Sequence, residues 1–173
     1  MSRIVSKSFG ALAALLAALV DWADIPLRDV LAATGTNPEE VLAAPRAAAI
    51  GLVGRAGAVK ILELHAAGRC DGIISWAGAI GTTTATQVMR ALPFGVPKVM
   101  LTDMASSDVS LWLGNKDIFI VNPTAEQGVT AVTRRMVANA TAAVVAMARV
   151  PDEPAGSRPL CAITSYGSTT PTV

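Results

Sequence analysis

The sequence predicts an α/β fold of the Rossmann-like kind, with three layers: a mostly parallel sheet of about four to five strands and helices on both faces. Short apolar runs alternate along the chain with stretches of helical periodicity, which is the pattern of repeated βα units. The runs are continuous rather than alternating in polarity, as expected for parallel strands covered on both faces. Hydrophobic residues make up 52% of the 173 residues, enough for one domain with a substantial core.

The first 45 residues predict a helical segment that precedes the α/β core. Residues 9–20 carry no charge and follow Arg3 and Lys7. This run is too short to span a bilayer, which takes about 20 residues. We expect residues 8–23 to form a buried or interface helix, with a secretory signal within residues 1–20 as the alternative.

Three further helices are predicted before the first strand, each from its cap chemistry. The stretch PLRDVLAATG has Pro26 near its start and Gly35 as its stop. The stretch NPEEVLAA begins with Asn37 as N-cap. Residues 46–67 show apolar positions at helical spacing, and Gly68 is the predicted terminator.

Four apolar runs predict the strands: DGIISW at 71–76, KVMLTDM at 98–104, DIFIVN at 117–122 and LCAITSY at 160–166. Helices are predicted between them, at about 82–92, 106–113 and 127–148. The last helix predicts one buried apolar face, formed by Val129, Val132, Met136, Ala140, Ala143 and Met147. Residues 46–150 are therefore the predicted core, and 151–173 are a connection and last strand that lead toward a second domain.

The charge balance and the reactive residues exclude several classes of function. The chain has fourteen Lys and Arg residues and thirteen Asp and Glu residues, so it carries no strong positive charge that would favour binding to nucleic acid. We expect Cys70 and Cys161, which each stand just before an apolar run, to be buried thiols of a cytoplasmic protein. Their spacing is not that of a zinc site. The single histidine, His65, has no neighbouring nucleophile. No catalytic constellation is present, so the sequence does not predict an enzyme.

Polar loops follow the predicted strands, at the edge of the sheet where doubly wound folds bind ligands. Backbone N–H groups at helix N-termini and small hydroxyl side chains donate to phosphate oxygens. The loops AGAIGTTT and DMASSD predict such an anion site, although the same residues also serve as simple helix caps. The pattern is neither a Walker A loop nor G-x-G-x-x-G. The candidate binding residues are Gly78, Gly81, Thr82, Thr83, Ser106 and Ser107.

Charged residues near these loops have two interpretations. Asp103 and Asp108 would hold a magnesium ion through a bound nucleotide, or would cap the helix that follows. Arg90, Arg134 and Arg135 would pair with a phosphate or carboxylate, or would be solvated helix side chains.

A family resemblance covers the chain from about residue 46 to its C-terminus. The segments MRALPFGVPKVMLTDMASSDV, TRRMVANA and ITSYGSTTPTV resemble the N-terminal domain of the tomato mosaic virus resistance protein-like ATP-binding family. The resemblance implies an α/β domain that binds ATP and forms a homo-oligomer. It also implies a second α/β domain beginning near LCAITSYGSTTP. The partner of this chain would then be a second copy of itself or a separate chain that supplies that domain.

The chain departs from that family in its first loop and at its start. The family's Gly-Gly-Ser-Gly-Gly-Thr loop is replaced by residues 77–82, AGAIGT, in which a β-branched Ile80 disfavours positive φ. The family's opening strand and GTLDTKG-like loop have no counterpart in residues 1–25, and Asp103 adds a negative charge. Two hypotheses follow: a nucleotide- or small-anion-binding domain, or a divergent oligomerisation domain that has lost its ligand.

Overall fold

The computed structural model describes residues 23–123 and 128–151. Within these ranges the elements are, in chain order, α1 (Leu27–Ala32), α2 (Pro38–Ala43), α3 (Arg46–Ala66), β1 (Ile73–Trp76), α4 (Ala79–Ala91), β2 (Lys98–Leu101), a 3-10 helix (Asp103–Ser106), α5 (Ser110–Leu113), β3 (Phe119–Val121) and α6 (Ala131–Met147).

The three strands form one parallel sheet in the order β1-β2-β3. Ile73 pairs with Lys98, and Val99 pairs with Phe119. The predicted parallel α/β architecture is therefore confirmed for three strands. The predicted helix at 8–23, the predicted strand at 160–166 and the loop after it lie outside the described residues.

Helices cover both faces of the sheet, as predicted. Successive residues of a strand point to opposite faces. Val99 and Leu101 of β2 pack against Ala140 and Val144 of α6, whereas Met100, between them in sequence, packs with Met89 of α4. These two clusters place α6 on one face of the sheet and α4 on the other.

The N-terminal helices form a separate core on α3. Leu31 of α1 and Val41 of α2 are buried against Ala49 and Ala56 of α3. The predicted local signals are confirmed: Asn37 caps α2 by accepting from the Glu39 N–H, and glycines with positive φ follow α1 and α3. Their φ angles are 67° at Gly35 and 65° at Gly68.

Helix α3 packs closely on α4 through glycines. A Cβ at Gly54 would overlap the side chain of Gln87, and one at Gly57 would lie 2.7 Å from Cγ2 of Val88. Real Cβ atoms do not approach so closely. At Gly54 the flexible Gln87 side chain could move aside, but at Gly57 the stiff, β-branched Val88 could not, so Gly57 is the position that needs glycine for the two helices to meet. This contact holds the N-terminal core against the sheet.

The buried face of α6 differs from the predicted one. Three residues of the predicted face are exposed, namely Val129 (53%), Val132 (54%) and Ala143, whereas Thr133 and Val144 are buried. The hydroxyl of Thr133 donates to the carbonyl of Gly128 (3.0 Å), and its backbone N–H donates to Thr130 Oγ1 (3.2 Å). Thr133 belongs to the N-terminal capping box of α6 and lies on the same side of the helix as Ala140 and Val144, which pack on the sheet.

A buried lysine closes the amino edge of the sheet. Lys98 is fully buried, and its Nζ donates to the carbonyls of Pro93 and Val96 (2.7 Å each) and to Oδ1 of Asp117 (2.8 Å). The other carboxylate oxygen of Asp117 accepts from the Gly95 N–H (2.8 Å). Burial raises the pKa of Asp117, but the hydrogen bonds from Lys98 and Gly95 outweigh it, and the net pKa lies below its ordinary value.

Candidate functional site

The loops after β1 and β2 meet at the carboxyl edge of the sheet, as the topology predicts. The Ala77 N–H donates to the carbonyl of Leu101 (3.0 Å), and the Thr102 N–H donates to the carbonyl of Val121 (3.0 Å). The pairing therefore continues one residue past each of these two strands. It brings the start of α4 beside Thr102 and the 3-10 helix.

Helix α4 begins at Ala79, three residues earlier than predicted, and Gly78 is its N-cap. Gly78 has an ordinary extended backbone (φ −78°, ψ −169°) and makes no side-chain cap. Ile80 is helical, so the expected conflict between a branched residue and positive φ does not arise. Gly81 is required for packing, because a Cβ there would overlap that of Ala77.

The hydroxyl of Thr82 is buried and hydrogen-bonded within the protein. The residue is fully buried, and its Oγ1 lies 2.9 Å from the carbonyl of Gly78 and 2.7 Å from Oγ1 of Thr102. Thr102 in turn caps the 3-10 helix by accepting from the Met104 N–H (3.1 Å). The capping role expected of Thr82 is therefore wrong: it bonds back to the preceding turn and ties the β1 loop to the β2 loop.

Thr83 connects α4 to α5. Its exposed hydroxyl donates to the carbonyl of Ala79 (3.0 Å) and accepts from the indole Nε1 of Trp112 (3.0 Å). Arg90, at the other end of α4, donates to the carbonyls of Leu111 (2.8 Å) and Trp112 (3.0 Å). Arg90 is thus engaged in holding α5, since its guanidinium satisfies carbonyls at the C-terminal end of that helix.

Ser106 and Ser107 lie exposed at the end of the 3-10 helix. Ser106 Oγ donates to the carbonyl of Asp103 (3.4 Å), and Ser107 Oγ donates to the carbonyl of Met104 (2.8 Å). Both residues are exposed, and each hydroxyl is bonded to a carbonyl three residues before it. The 3-10 helix contacts α4, so they share the carboxyl edge with Gly78.

The two aspartates of this loop differ in their roles. Asp108 caps α5, since its Oδ1 accepts from the Ser110 N–H (2.9 Å). Hydrogen bonds from the backbone and side chain of Ser110 lower the pKa of Asp108 below its ordinary value. Asp103 Oδ1 lies 3.4 Å from the hydroxyl of Thr102. The capping interpretation is confirmed for Asp108.

The reactive side chains elsewhere are held by local bonds. His65 Nδ1 lies 2.9 Å from the carbonyl of Cys70, and Cys70 Sγ donates to the carbonyl of Gly72 (3.6 Å). No group of three or more His, Cys, Asp or Glu side chains gathers within residues 23–123 and 128–151. In the same part of the chain, no helix has the length and apolarity needed to cross a membrane.

Comparison with known proteins identifies the family. The family model described as "Uncharacterised protein family (UPF0261) N-terminal domain" matches residues 15–153. The chain belongs to this family. The resemblance predicted from sequence is therefore confirmed.

Relatives of this UPF0261 domain occur in bacteria and in a plant. The chain is 32% identical to UPF0261 protein RA0729 of Rhizobium meliloti (strain 1021), over 84% of this chain and 42% of the relative. It is 30% identical to a UPF0261 protein of Clostridium tetani (strain Massachusetts / E88), over 85% of this chain and 37% of the relative. It is 26% identical to the ToMV susceptible protein tm-1(GCR26) of Solanum lycopersicum, over 73% of this chain and 17% of the relative. The chain spans less than half the length of each of these relatives.

The helix starts at the carboxyl edge of the UPF0261 domain are capped differently. Thr130 caps α6, Asp108 caps α5 and Thr102 caps the 3-10 helix, each through a side-chain oxygen. Helix α4 starts at Gly78, which has no side chain to do so. Sequence reasoning could not find this contrast, because it attributed the capping to Thr82 and its neighbours.

Proposed function

We propose that this domain binds the phosphate groups of a nucleotide, with ATP as the first candidate, or another small anion, at the carboxyl edge of its sheet, without an evident catalytic role. The observation that carries the proposal is a set of free donors at the start of α4. The backbone N–H groups of Ala79, Ile80 and Gly81 donate no hydrogen bond to any described part of the chain. A helix N-terminus with free N–H groups favours an anion.

The side chains around this helix start divide into two roles. The exposed hydroxyls of Ser106 and Ser107 would donate to the anion, since they lie on the neighbouring 3-10 helix. Thr82 and Thr83 would act as positioning residues, because their hydroxyls hold Thr102 and Trp112. Phosphate contact would therefore be made mainly by backbone, which tolerates the altered loop sequence of this chain.

A magnesium ion would enter with the nucleotide. Asp103, beside Thr102, would supply a carboxylate oxygen, which is the ligand type that Mg²⁺ prefers. Asp108 is the weaker candidate because its Oδ1 already caps α5. Bound Mg²⁺ would offset the repulsion between Asp103 and the phosphates.

The test is isothermal titration with ATP and Mg²⁺, with ADP and inorganic phosphate as competitors, on the wild type and on Ala79→Glu. Ala79 is the exposed first residue of α4, where a glutamate is favourable to the helix itself. The new carboxylate would repel an anion at this helix start, so we expect micromolar wild-type binding and a loss of at least about tenfold in affinity. The matched control is Ala142→Glu, an exposed position three turns into α6.

The outcomes separate the possibilities. No binding of any of the three anions by the wild type would refute the proposal. Equal affinity for wild type and Ala79→Glu would place the anion elsewhere. Equal losses in Ala79→Glu and Ala142→Glu would show only a general effect of net charge.

Assembly is a second candidate function, favoured by the outer edge of β3. Within the described residues β3 pairs only with β2, and Phe119 on β3 is 57% exposed. A strand edge that no described residue covers, with an exposed aromatic residue on the strand, favours pairing with another chain, either a second copy or a separate second-domain chain. Sedimentation velocity tests it: we expect a dimer or larger species that Phe119→Lys converts to monomer, and a monomeric wild type at micromolar concentration would contradict it.

A further inference from the structure

We draw no further inference here: the strongest candidate, the exposed Phe94 on the loop that Lys98 and Asp117 hold at the amino edge of the sheet, carries none because nothing in the described part of the structure shows what covers it.

Discussion

Replacing Lys98 with methionine should destabilise the domain strongly without touching the carboxyl edge. Lys98 is fully buried, and its Nζ donates three hydrogen bonds, to Pro93, Val96 and Asp117. Methionine fills most of the space of the lysine stem, so the change removes the charge and the donors rather than the packing. Two carbonyls and one carboxylate oxygen then lose their donor.

The size of the loss in stability depends on how well the groups that accepted from Lys98 are satisfied after it is replaced. Removing one member of a buried ion pair costs about 3–5 kcal/mol, because the other charge stays buried without compensation. The Asp117 side chain remains 20% exposed and keeps its bond from the Gly95 N–H, so water can solvate part of the carboxylate. We therefore expect a loss at the lower end of this range, a decrease of about 3 kcal/mol in the free energy of unfolding.

Urea denaturation followed by circular dichroism measures the loss. Lys60→Met is the matched control, because Lys60 pairs with Glu63 on the surface of α3 (2.7 Å) and such pairs contribute about 0.5 kcal/mol or less. The double variant Lys98→Met with Asp117→Asn should recover part of the loss, since it removes the stranded charge. A loss below about 1 kcal/mol for Lys98→Met would refute the reasoning, because the buried pair would then contribute no more than a surface pair.

Three other predictions concern pH and the two connections of α4. The pKa of Asp117 is lowered in the folded protein from its ordinary value of 3.8, so this carboxylate should stabilise the fold fully above about pH 4 and lose that effect as the pH falls through the lower, folded pKa. The urea midpoint, measured at a series of acid pH values, should therefore depend less on pH in Asp117→Asn than in the wild type. Thr82→Val should lower the free energy of unfolding, measured by urea denaturation, by about 1–2 kcal/mol, because it removes the buried hydrogen bond to Thr102. Its control, Thr84→Val, loses only a bond to a carbonyl of its own helix and should lower that free energy by less than about 0.5 kcal/mol. Equal losses in the two variants would contradict this prediction. Trp112→Phe removes the indole donor to Thr83, so amide exchange in α5 should accelerate while α6 is unaffected, and unchanged exchange in α5 would count against that contact.

Local chemistry made much of the fold predictable from sequence. Asn37 as N-cap and Gly35 and Gly68 as helix stops were predictable because each acts on backbone groups within a few residues of itself. The parallel strands were predictable for a similar reason, since their continuous apolar runs alternate with helical stretches. The family assignment rests on the same linear information, as the match to residues 15–153 shows.

The candidate site was predictable only in its position. Topology alone indicates that the loops after β1 and β2 share one edge of the sheet, and the structure confirms it. The individual roles were not predictable, because a hydroxyl makes the same sequence signal whether it caps a helix, faces solvent or is buried. Thr82 is buried against Thr102, twenty residues away, and Gly78 became the N-cap instead.

By itself, then, the sequence of this protein determined the order of the helices and strands within the described residues, and the edge of the sheet at which the loops after β1 and β2 meet. Only the tertiary structure decided which side chains remain available there, that Lys98 is enclosed at the opposite edge, and that Thr133 rather than Val132 is buried on α6. The physical reason is the range of the interactions. Caps, turns and periodicity depend on neighbours along the chain, whereas burial and the choice of hydrogen-bond partner depend on segments that meet only after folding.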